Sequence, residues 1–538
     1  MPAGLGQSIR NLGSEDEALQ ESAIVDLGTS GDANILPALE ALQSGSLYFW
    51  VDSKGEQILV IARDPVDRNG EQSYPLLSPY GANPILDENG EAVFETEAAI
   101  TLIRIGRRLR IAIAPWLDRL RLFSLSADLR ESAATKVGLY GAPEALPLLD
   151  KALLIENERW VRTALNEAIG LIQLVDDNPA LRKKAAEKLG TIHALNALPT
   201  LEERIRSDDR GESPEQDIAV VEAIREAIRK IEAWTVWTRT VETIFSGISL
   251  SSILLLVALG LAITFGLMGV INMAHGELMM LGAYTTYVVQ EFFIATLPES
   301  MRSLYFPLAI PLAFVVAAAI GMALERSIIR RLYGRPLETL LATWGVSLIL
   351  QQGVRHIFGA ANVDVASPAW LSGGLRLATG IQFPYNRLFI ILLSLVSVLG
   401  VYLLVLRSPI GLKIRAVTQN REMSACMGIT TQRVDAWTFG LGSGLAGMAG
   451  AALTLIGNIG PDLGQSYIVD SFLVVVTGGV GKLAGTVGAA FGIGGLNKLL
   501  EPGLGAIYAK VLILLIVILF LQGKPSGLFP AKGRNVDM

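Results

Sequence analysis

The chain has 538 residues, 51% of them apolar, and a formal net charge of −6. One cysteine, Cys426, excludes an intramolecular disulfide framework and a thiolate metal cluster, and three histidines argue against a His-built metal site. An acidic balance without basic, aromatic-interleaved stretches argues against nucleic-acid binding.

The averages conceal two unlike halves. Met1–Thr240 carries 26 Lys+Arg and 38 Asp+Glu, whereas the remainder carries 19 and 13, so the net charge passes from −12 to +6. This predicts a soluble domain over residues 1–235 followed by a membrane domain over 236–538. Met1–Asn11 lacks the apolar core of a secretory leader.

Three segments of the first half resemble one another. Glu21–Gly28 leads to Ile35–Leu39, Glu131–Gly138 to Ala145–Leu149, and Lys183–Gly190 to Ala197–Leu201. Each reads as an apolar-periodic helix closed by Gly, a short turn, and a second helix with Pro in its first turn. The copies are offset by 110 and 52 residues, and Gly always precedes Pro by nine. Asn157–Leu174 is a further helical stretch. The pattern predicts stacked hairpins of the HEAT kind; an irregular helical domain is the alternative. Between the first two copies, at about 46–113, short β-prone runs at Leu47–Val51, Gln57–Ile61 and Ala92–Thr96 alternate with turns such as Glu88-Asn89-Gly90, predicting a small β-rich insertion. The carboxylates of this half read as solvated helix faces, without a catalytic constellation.

Apolar runs of bilayer-spanning length recur after Phe245. They are Ile248–Met268, His275–Ala295, Phe306–Leu324, Leu337–Ile357, Leu388–Leu406 and Ala436–Ile456. Shorter pieces follow at Ser466–Thr477, Ala484–Leu500 and Ile507–Leu521, some expected to be broken or re-entrant. Basic clusters at Arg326–Arg335, at Arg407–Arg433 and at Lys524, Lys532 and Arg534 mark cytoplasmic connections. Pro298–Tyr305 and Ala360–Tyr385 then face outward, and counting back places the first half outside. The missing leader, with Arg229, Lys230 and Arg239 beside the first span, favours the opposite start.

Gly440–Ala452 stacks small residues along one helix, predicting close backbone approach. Gly478-Gly-Val-Gly-Lys-Leu-Ala-Gly485 is not a nucleotide loop: Val476 stands where its first glycine is required and Leu483 replaces the magnesium-holding hydroxyl. A broken helix is expected there. Asn272, His275 and Glu277 are polar groups lodged between two apolar spans. They form either a translocation or gating network, or a helix-to-helix junction at the cytoplasmic interface. Thr343, Trp344, Gln351 and Gln352, with His356, make a second polar patch that serves substrate contact or helix–helix adhesion.

These motifs carry a resemblance. Gly269–Glu277, Leu341–Gln352, Ser408–Val417 with Asn420 and Met427–Ile429, Gly478–Gly485 and Pro525–Arg534 resemble the ABC permeases that import branched-chain amino acids, and within them the urea permeases. The likeness covers Gly247–Arg534; the N-terminal extension and the tail ending Gly-Leu-Phe-Pro-x-Lys-Gly-Arg are the urea-like features.

The resemblance implies an all-α polytopic ABC-importer permease domain of about eight transmembrane helices with broken segments, preceded by the HEAT-like domain. It implies a non-enzymatic subunit of a bacterial inner-membrane importer for urea, with branched-chain amino acids or short amides as the alternative cargo. Its implied partners are a second related permease subunit, two cytoplasmic ATPase subunits that use ATP and Mg, and an extracytoplasmic substrate-binding protein. No cofactor is expected on this chain, and the N-terminal domain is expected to be periplasmic. Gly411, Lys413, Arg415, Asn420 and Gly428 match the loop that docks onto an ATPase.

Overall fold

A computed structural model describes residues 3–14, 16–52, 55–68, 71–87, 90–207 and 213–529. Lys532 and Arg534 of the basic tail, and Glu88-Asn89 of the expected turn, lie outside the described residues. The chain forms two compact units, Met1–Trp237 and Thr238–Met538.

The first unit starts with helices α1 (Ala3–Asn11), α2 (Glu17–Thr29) and α3 (Leu36–Ser44). Strands β1 (Leu47–Val51), β2 (Gln57–Ala62), β3 (Val66–Arg68), β4 (Glu71–Leu77), β5 (Phe94–Thr96) and β6 (Ile100–Leu102) form the insertion. They make an antiparallel sheet of order β3-β4-β2-β1-β6, with β5 paired to β4. Helix α4 (Arg107–Arg121) begins earlier than the composition indicates, because Leu109, Ile113 and Leu117 already form a buried helical stripe. Next come α5 (Ala127–Tyr140), α6 (Leu146–Ile155), α7 (Arg159–Gln173), α8 (Pro179–Thr191) and α9 (Leu198–Ile205).

The pairs α2–α3, α5–α6 and α8–α9 repeat one local design. A 3-10 turn (Ala33–Ile35, Pro143–Ala145, Leu195–Ala197) precedes each second helix, and Pro37, Pro147 and Pro199 sit in its first turn. Gly28, Gly138 and Gly190, expected as helix stops, lie inside the first helices instead. Their role is close packing. A Cβ on Gly138 would fall 2.6 Å from the Ala168 Cα, and one on Gly190 would fall 2.8 Å from the Ala227 Cα. The left-handed positions come three residues later, at Gly31, Gly141 and His193. His193 accepts that backbone with its ring stacked on Trp234, centroids 4.5 Å apart.

The same register governs buried charge. Arg130 donates to Glu156 at 2.6 and 3.0 Å and to the carbonyls of Ser124 and Leu125. One repeat later Arg182 donates to Glu215 at 2.7 and 2.9 Å and to the carbonyls of Asp176 and Asp177. Each guanidinium holds its carboxylate partner below the usual range. In the first copy Gln20 takes the arginine's place, its amide donating to the Leu12 carbonyl at 3.1 Å.

Helix α10 (Ile218–Met268) continues in sequence from the first unit into the second. The second unit then contains α11 (His275–Thr296), α12 (Glu299–Arg302), α13 (Tyr305–Ser327) and α14 (Pro336–Phe358). A hairpin of β7 (Gly374–Ala378) and β8 (Ile381–Pro384) occupies the following connection, which sequence reasoning left without structure. Helices α15 (Tyr385–Tyr402), α16 (Pro409–Gln419), α17 (Arg421–Cys426), α18 (Thr431–Leu453), α19 (Leu463–Gly478), α20 (Leu483–Leu504) and α21 (Ala506–Gly523) complete it. Among the described residues six helices are long and apolar enough to cross a membrane: α10, α11, α13, α15, α20 and α21. The second unit is therefore that of a multi-pass inner-membrane protein. Polar side chains dilute α14 and glycines dilute α18, while α19 is short.

Helix α18 is the bundle's axis, buried along most of its length. Its glycines let three other helices reach its backbone: Gly442 meets Gly260 of α10, Gly447 meets Ala313 of α13, and Gly450 meets Met279 of α11. At one end of the bundle the basic connections meet: Arg330 donates to the Gln432 carbonyl at 3.3 Å, and the Arg421 guanidinium lies 4.4 Å from the Tyr333 ring centre. At the other end Val363 bridges to Ile459, and Tyr305 donates to the Ala366 carbonyl at 2.5 Å.

Candidate functional site: a polar seam at half-depth and a basic segment at one end

Helix α10 stops at Met268, and Gly269 takes a left-handed φ of +70°. The chain then doubles back into the bundle. His275, the first residue of α11, places its Nε2 3.1 Å from the Val257 carbonyl oxygen, which only an N–H can satisfy. Val257 precedes the end of α10 by eleven residues, about 16 Å of helix. The Asn272–Glu277 junction therefore lies at half-depth, not at the cytoplasmic interface.

Helix α19 starts at the same level from the opposite direction. A Cβ on Gly464 would fall 2.5 Å from the Gly276 carbonyl carbon, so the first turns of α11 and α19 touch backbone to backbone. From there α11 runs towards the end where Tyr284 packs on Phe358, ring centres 4.7 Å apart. Helix α19 runs the other way, to the break at Gly478–Gly481, where Gly481 abuts Gly266 near the end of α10. Gly479 and Gly481 hold left-handed φ values of +96° and +81°, which fits the expected helix break. Two broken helices thus meet N-terminus to N-terminus inside the bundle.

Polar side chains ring this meeting point. Asn272 shapes the turn leading into α11, accepting from the Ala274 N–H at 3.0 Å through Oδ1, while its Nδ2 has no partner. Helix α14 supplies a stripe at four-residue spacing: Thr339, Thr343, Ser347 and Gln351, all buried. Thr343 Oγ1 accepts from the Met273 N–H at 3.1 Å, tying α14 to the re-entrant segment. Ser347 lies within hydrogen-bonding reach of the Glu277 carboxylate. Arg355, the next residue of the series, makes an ion pair to Asp462. Asn272 Nδ2, His275 Nδ1, Glu277 Oε2 and Gln351 Nε2 are all buried without a hydrogen-bond partner. Buried polar atoms are normally satisfied, so these orphans on α11, its lead-in and α14 are groups with capacity for a further partner.

Of the residues singled out from sequence, Asn272, His275, Glu277 and Thr343 lie at this junction, His275 turned to α10 and Glu277 to α14, while Gln351 lies further along the buried stripe of α14. Trp344 and Gln352 lie on the exposed face of α14, a quarter-turn or more from the seam. The basic segment forms α16 and α17. Ser408 caps α16, accepting from the Gly411 N–H at 3.0 Å; Asn420 caps α17, accepting from the Met423 N–H at 2.9 Å; and Gly428, at φ +82°, ends it. Lys413 is exposed and Arg415 half-buried, beside an exposed apolar set of Ile410, Leu412, Met423 and Met427. Sequence reasoning missed Glu325 and Asp435. Both are carboxylates at the basic end of otherwise apolar helices, and that position is the signal that marks them.

A family model described as "Branched-chain amino acid transport system / permease component" matches residues 243–521, just over half of the chain. The chain belongs to this permease family. It is 28% identical over 297 residues to the high-affinity branched-chain amino acid transport system permease protein BraD of Pseudomonas aeruginosa, covering 53% of this chain and 94% of that protein. It is 28% identical over 295 residues to LivH of Escherichia coli, with the same coverages. The probable LivH of Methanocaldococcus jannaschii is 28% identical over 296 residues, with 52% and 89% covered. No solved structure matches. Permease components of this family are non-catalytic membrane subunits of ABC importers, and the seam and the basic segment both lie inside the matched region.

Proposed function

We propose that the α11–α19 meeting point is the constriction through which this permease passes its solute, and that the solute is a branched-chain amino acid. The observation that carries the pathway reading is the pair of opposed helix N-termini, of α11 and the shorter α19, with unpartnered polar atoms on Asn272, His275 and Glu277 beside them. Helix N-termini inside the bundle favour a carboxylate, and the Glu277 carboxylate favours an ammonium, a combination suited to a zwitterion. The BraD and LivH relatives, named for branched-chain amino acids, support the same cargo.

Urea is the second reading, favoured by a different observation. The orphaned atoms include side-chain amide donors and a carboxylate acceptor but no guanidinium or ammonium, which fits a small neutral diamide. The importer also needs a paired permease, two ATPase subunits that supply ATP hydrolysis with Mg, and an extracytoplasmic binding protein. The segment Pro409–Cys426 docks one ATPase through its exposed apolar residues and Lys413. Uptake of labelled leucine and of labelled urea, each competed with the other, should be measured in vesicles carrying all subunits. Leucine uptake that excess urea leaves unchanged is the expected result. Urea uptake that leucine does not displace overturns it in favour of the second reading.

The first unit reads as a HEAT-like array on the extracytoplasmic side, and the bundle as about eight spans with α19 a half-span. Phe245 stacks on Phe383 of β8, ring centres 4.1 Å apart, so α10 enters the bundle at the end opposite the basic connections. A cysteine placed at Asn178 in a Cys426→Ser background is expected to react with a membrane-impermeant maleimide in intact spheroplasts. Labelling that requires permeabilised cells reverses the assignment.

A further inference from the structure

Behind the segment α16–α17 lies a cavity of about 230 Å³, lined by Leu267 and Met268 at the end of α10, by Tyr333, by Ile414 and Val417 of α16, and by Asp435 and Thr438 of α18. The segment is tethered across this gap by few polar contacts. Arg421, the first residue of α17, pairs with Asp435 of α18 at 2.5 Å. The arginine is partly exposed, whereas the Asp435 carboxylate is buried. The Arg421 guanidinium also lies on the Tyr333 ring, in the connection between α13 and α14. Next to it, fully buried Glu325 of α13 takes a two-pronged contact from Arg330 at 3.2 and 2.9 Å, and Arg330 reaches the Gln432 carbonyl just before Asp435.

A buried carboxylate held by a single cation is costly to leave unpaired, so when the Arg421 backbone moves Asp435 must follow it or be stranded. The cavity supplies the room for such a displacement, since close-packed walls would block it. Asp435 is the fifth residue of α18. The same rigid helix carries Gly442, seven residues on, against Gly260, whose missing side chain leaves space for the His275 ring. A push on Arg421 therefore reaches the polar seam through one continuous helix.

We infer that the Arg421–Asp435 pair, steadied by Tyr333 and the Glu325–Arg330 pair, is the link by which movement of the ATPase-docking segment drives α18 and the seam. Both are positioning residues. The inference rests on the assignment of Pro409–Cys426 as the docking segment and adds the contact that passes its motion inward.

The test uses the complete importer in proteoliposomes, with solute uptake and ATP hydrolysis measured together. Asp435→Asn, outside the docking segment, is expected to leave ATPase subunits bound and hydrolysis within about twofold while uptake per ATP falls at least about tenfold, and Arg421→Gln is expected to lower uptake per ATP to the same extent. The exchange variant Arg421→Asp with Asp435→Arg is expected to recover uptake per ATP to within about threefold of the parent. A structural role alone would lower yield or thermal stability without changing the ratio of uptake to hydrolysis. The link is overturned if the single variants keep the parent ratio, or if the exchange variant folds and binds the ATPase but stays as uncoupled as the single ones. Met423→Glu serves as a separate arm on the exposed face. If it leaves ATPase binding intact, the docking assignment itself fails, whatever the Arg421 variants do.

Discussion

Gly450→Leu is expected to abolish the folded bundle, the largest effect of any single substitution proposed here. A Cβ at this position would penetrate the Met279 carbonyl oxygen of α11 and come within 2.9 Å of the Ala283 amide nitrogen. Those are backbone atoms within a helix, so no side-chain rotation can make room. Helices α11 and α18 would have to part, and with them the Gly282–Gly447 contact one turn away. Overpacking commonly costs about 1–3 kcal/mol, and a rigid neighbour on both sides places this site at or above the upper end. Between helices in a bilayer the packing itself is the main source of association, because lipid is as apolar as the interface. The check is thermal unfolding and size-exclusion behaviour of the purified protein in detergent. Gly345→Leu is the control: nothing approaches within 4 Å of a Cβ there, and the melting midpoint is expected to stay within a few degrees. A Gly450→Leu protein as stable as the parent would contradict the close approach.

Glu277→Ala is expected to lower uptake by roughly 10- to 150-fold, the range that corresponds to losing one hydrogen bond to a charged group of about 1.5–3 kcal/mol. The carboxylate is buried beside Ser347, and its Oε2 has no partner within the chain. Removing it leaves the fold largely intact, because the Ser347 hydroxyl can turn to the carbonyl of Thr343 one turn earlier on α14. Glu277→Gln separates charge from hydrogen bonding. Uptake preserved in Gln and lost in Ala assigns a hydrogen-bonding contact; loss in both assigns the negative charge, as an ammonium-bearing solute requires. Wild-type uptake in the Ala variant would remove Glu277 from the pathway.

Both predictions fall on residues the sequence marked as unusual without saying which neighbours they meet. A carboxylate between two apolar runs is conspicuous in any membrane sequence, and so is a run of glycines inside a span. What each touches is a property of residues far apart in the chain. Gly28, Gly138 and Gly190 make the same point in the first unit. Their spacing from Pro37, Pro147 and Pro199 was legible and picks out three helix pairs of similar local design, yet the function assigned to them from local punctuation was helix termination. The packed partners Trp116, Ala168 and Ala227 lie 88, 30 and 37 residues away, and local sequence carries no trace of them. The Arg130–Glu156 and Arg182–Glu215 pairs were hidden for the same reason, since a surface with many charges does not announce which are buried.

The sequence by itself determined the division into an acidic helical half with a β-rich insertion and an apolar multi-pass half. Those features follow from composition and from local periodicity, which act over a few turns of chain. It also determined which polar residues sit among apolar ones, because the cost of placing them there does not depend on the fold. Only the tertiary structure decided that Asn272–Glu277 lies at half-depth. Local pattern left the stretch between a helix ending at Met268 and another beginning at His275 open between a translocation or gating network and a reversal at the cytoplasmic interface. The contact of His275 with Val257 and of Gly276 with Gly464 instead turns that reversal into a re-entrant segment facing a second broken helix. Likewise the separation of Trp344 and Gln352 from Thr343 and Gln351 was settled by which face of α14 packs against α11. Neighbouring residues on a helix point about 100° apart, and only packing chooses the buried side.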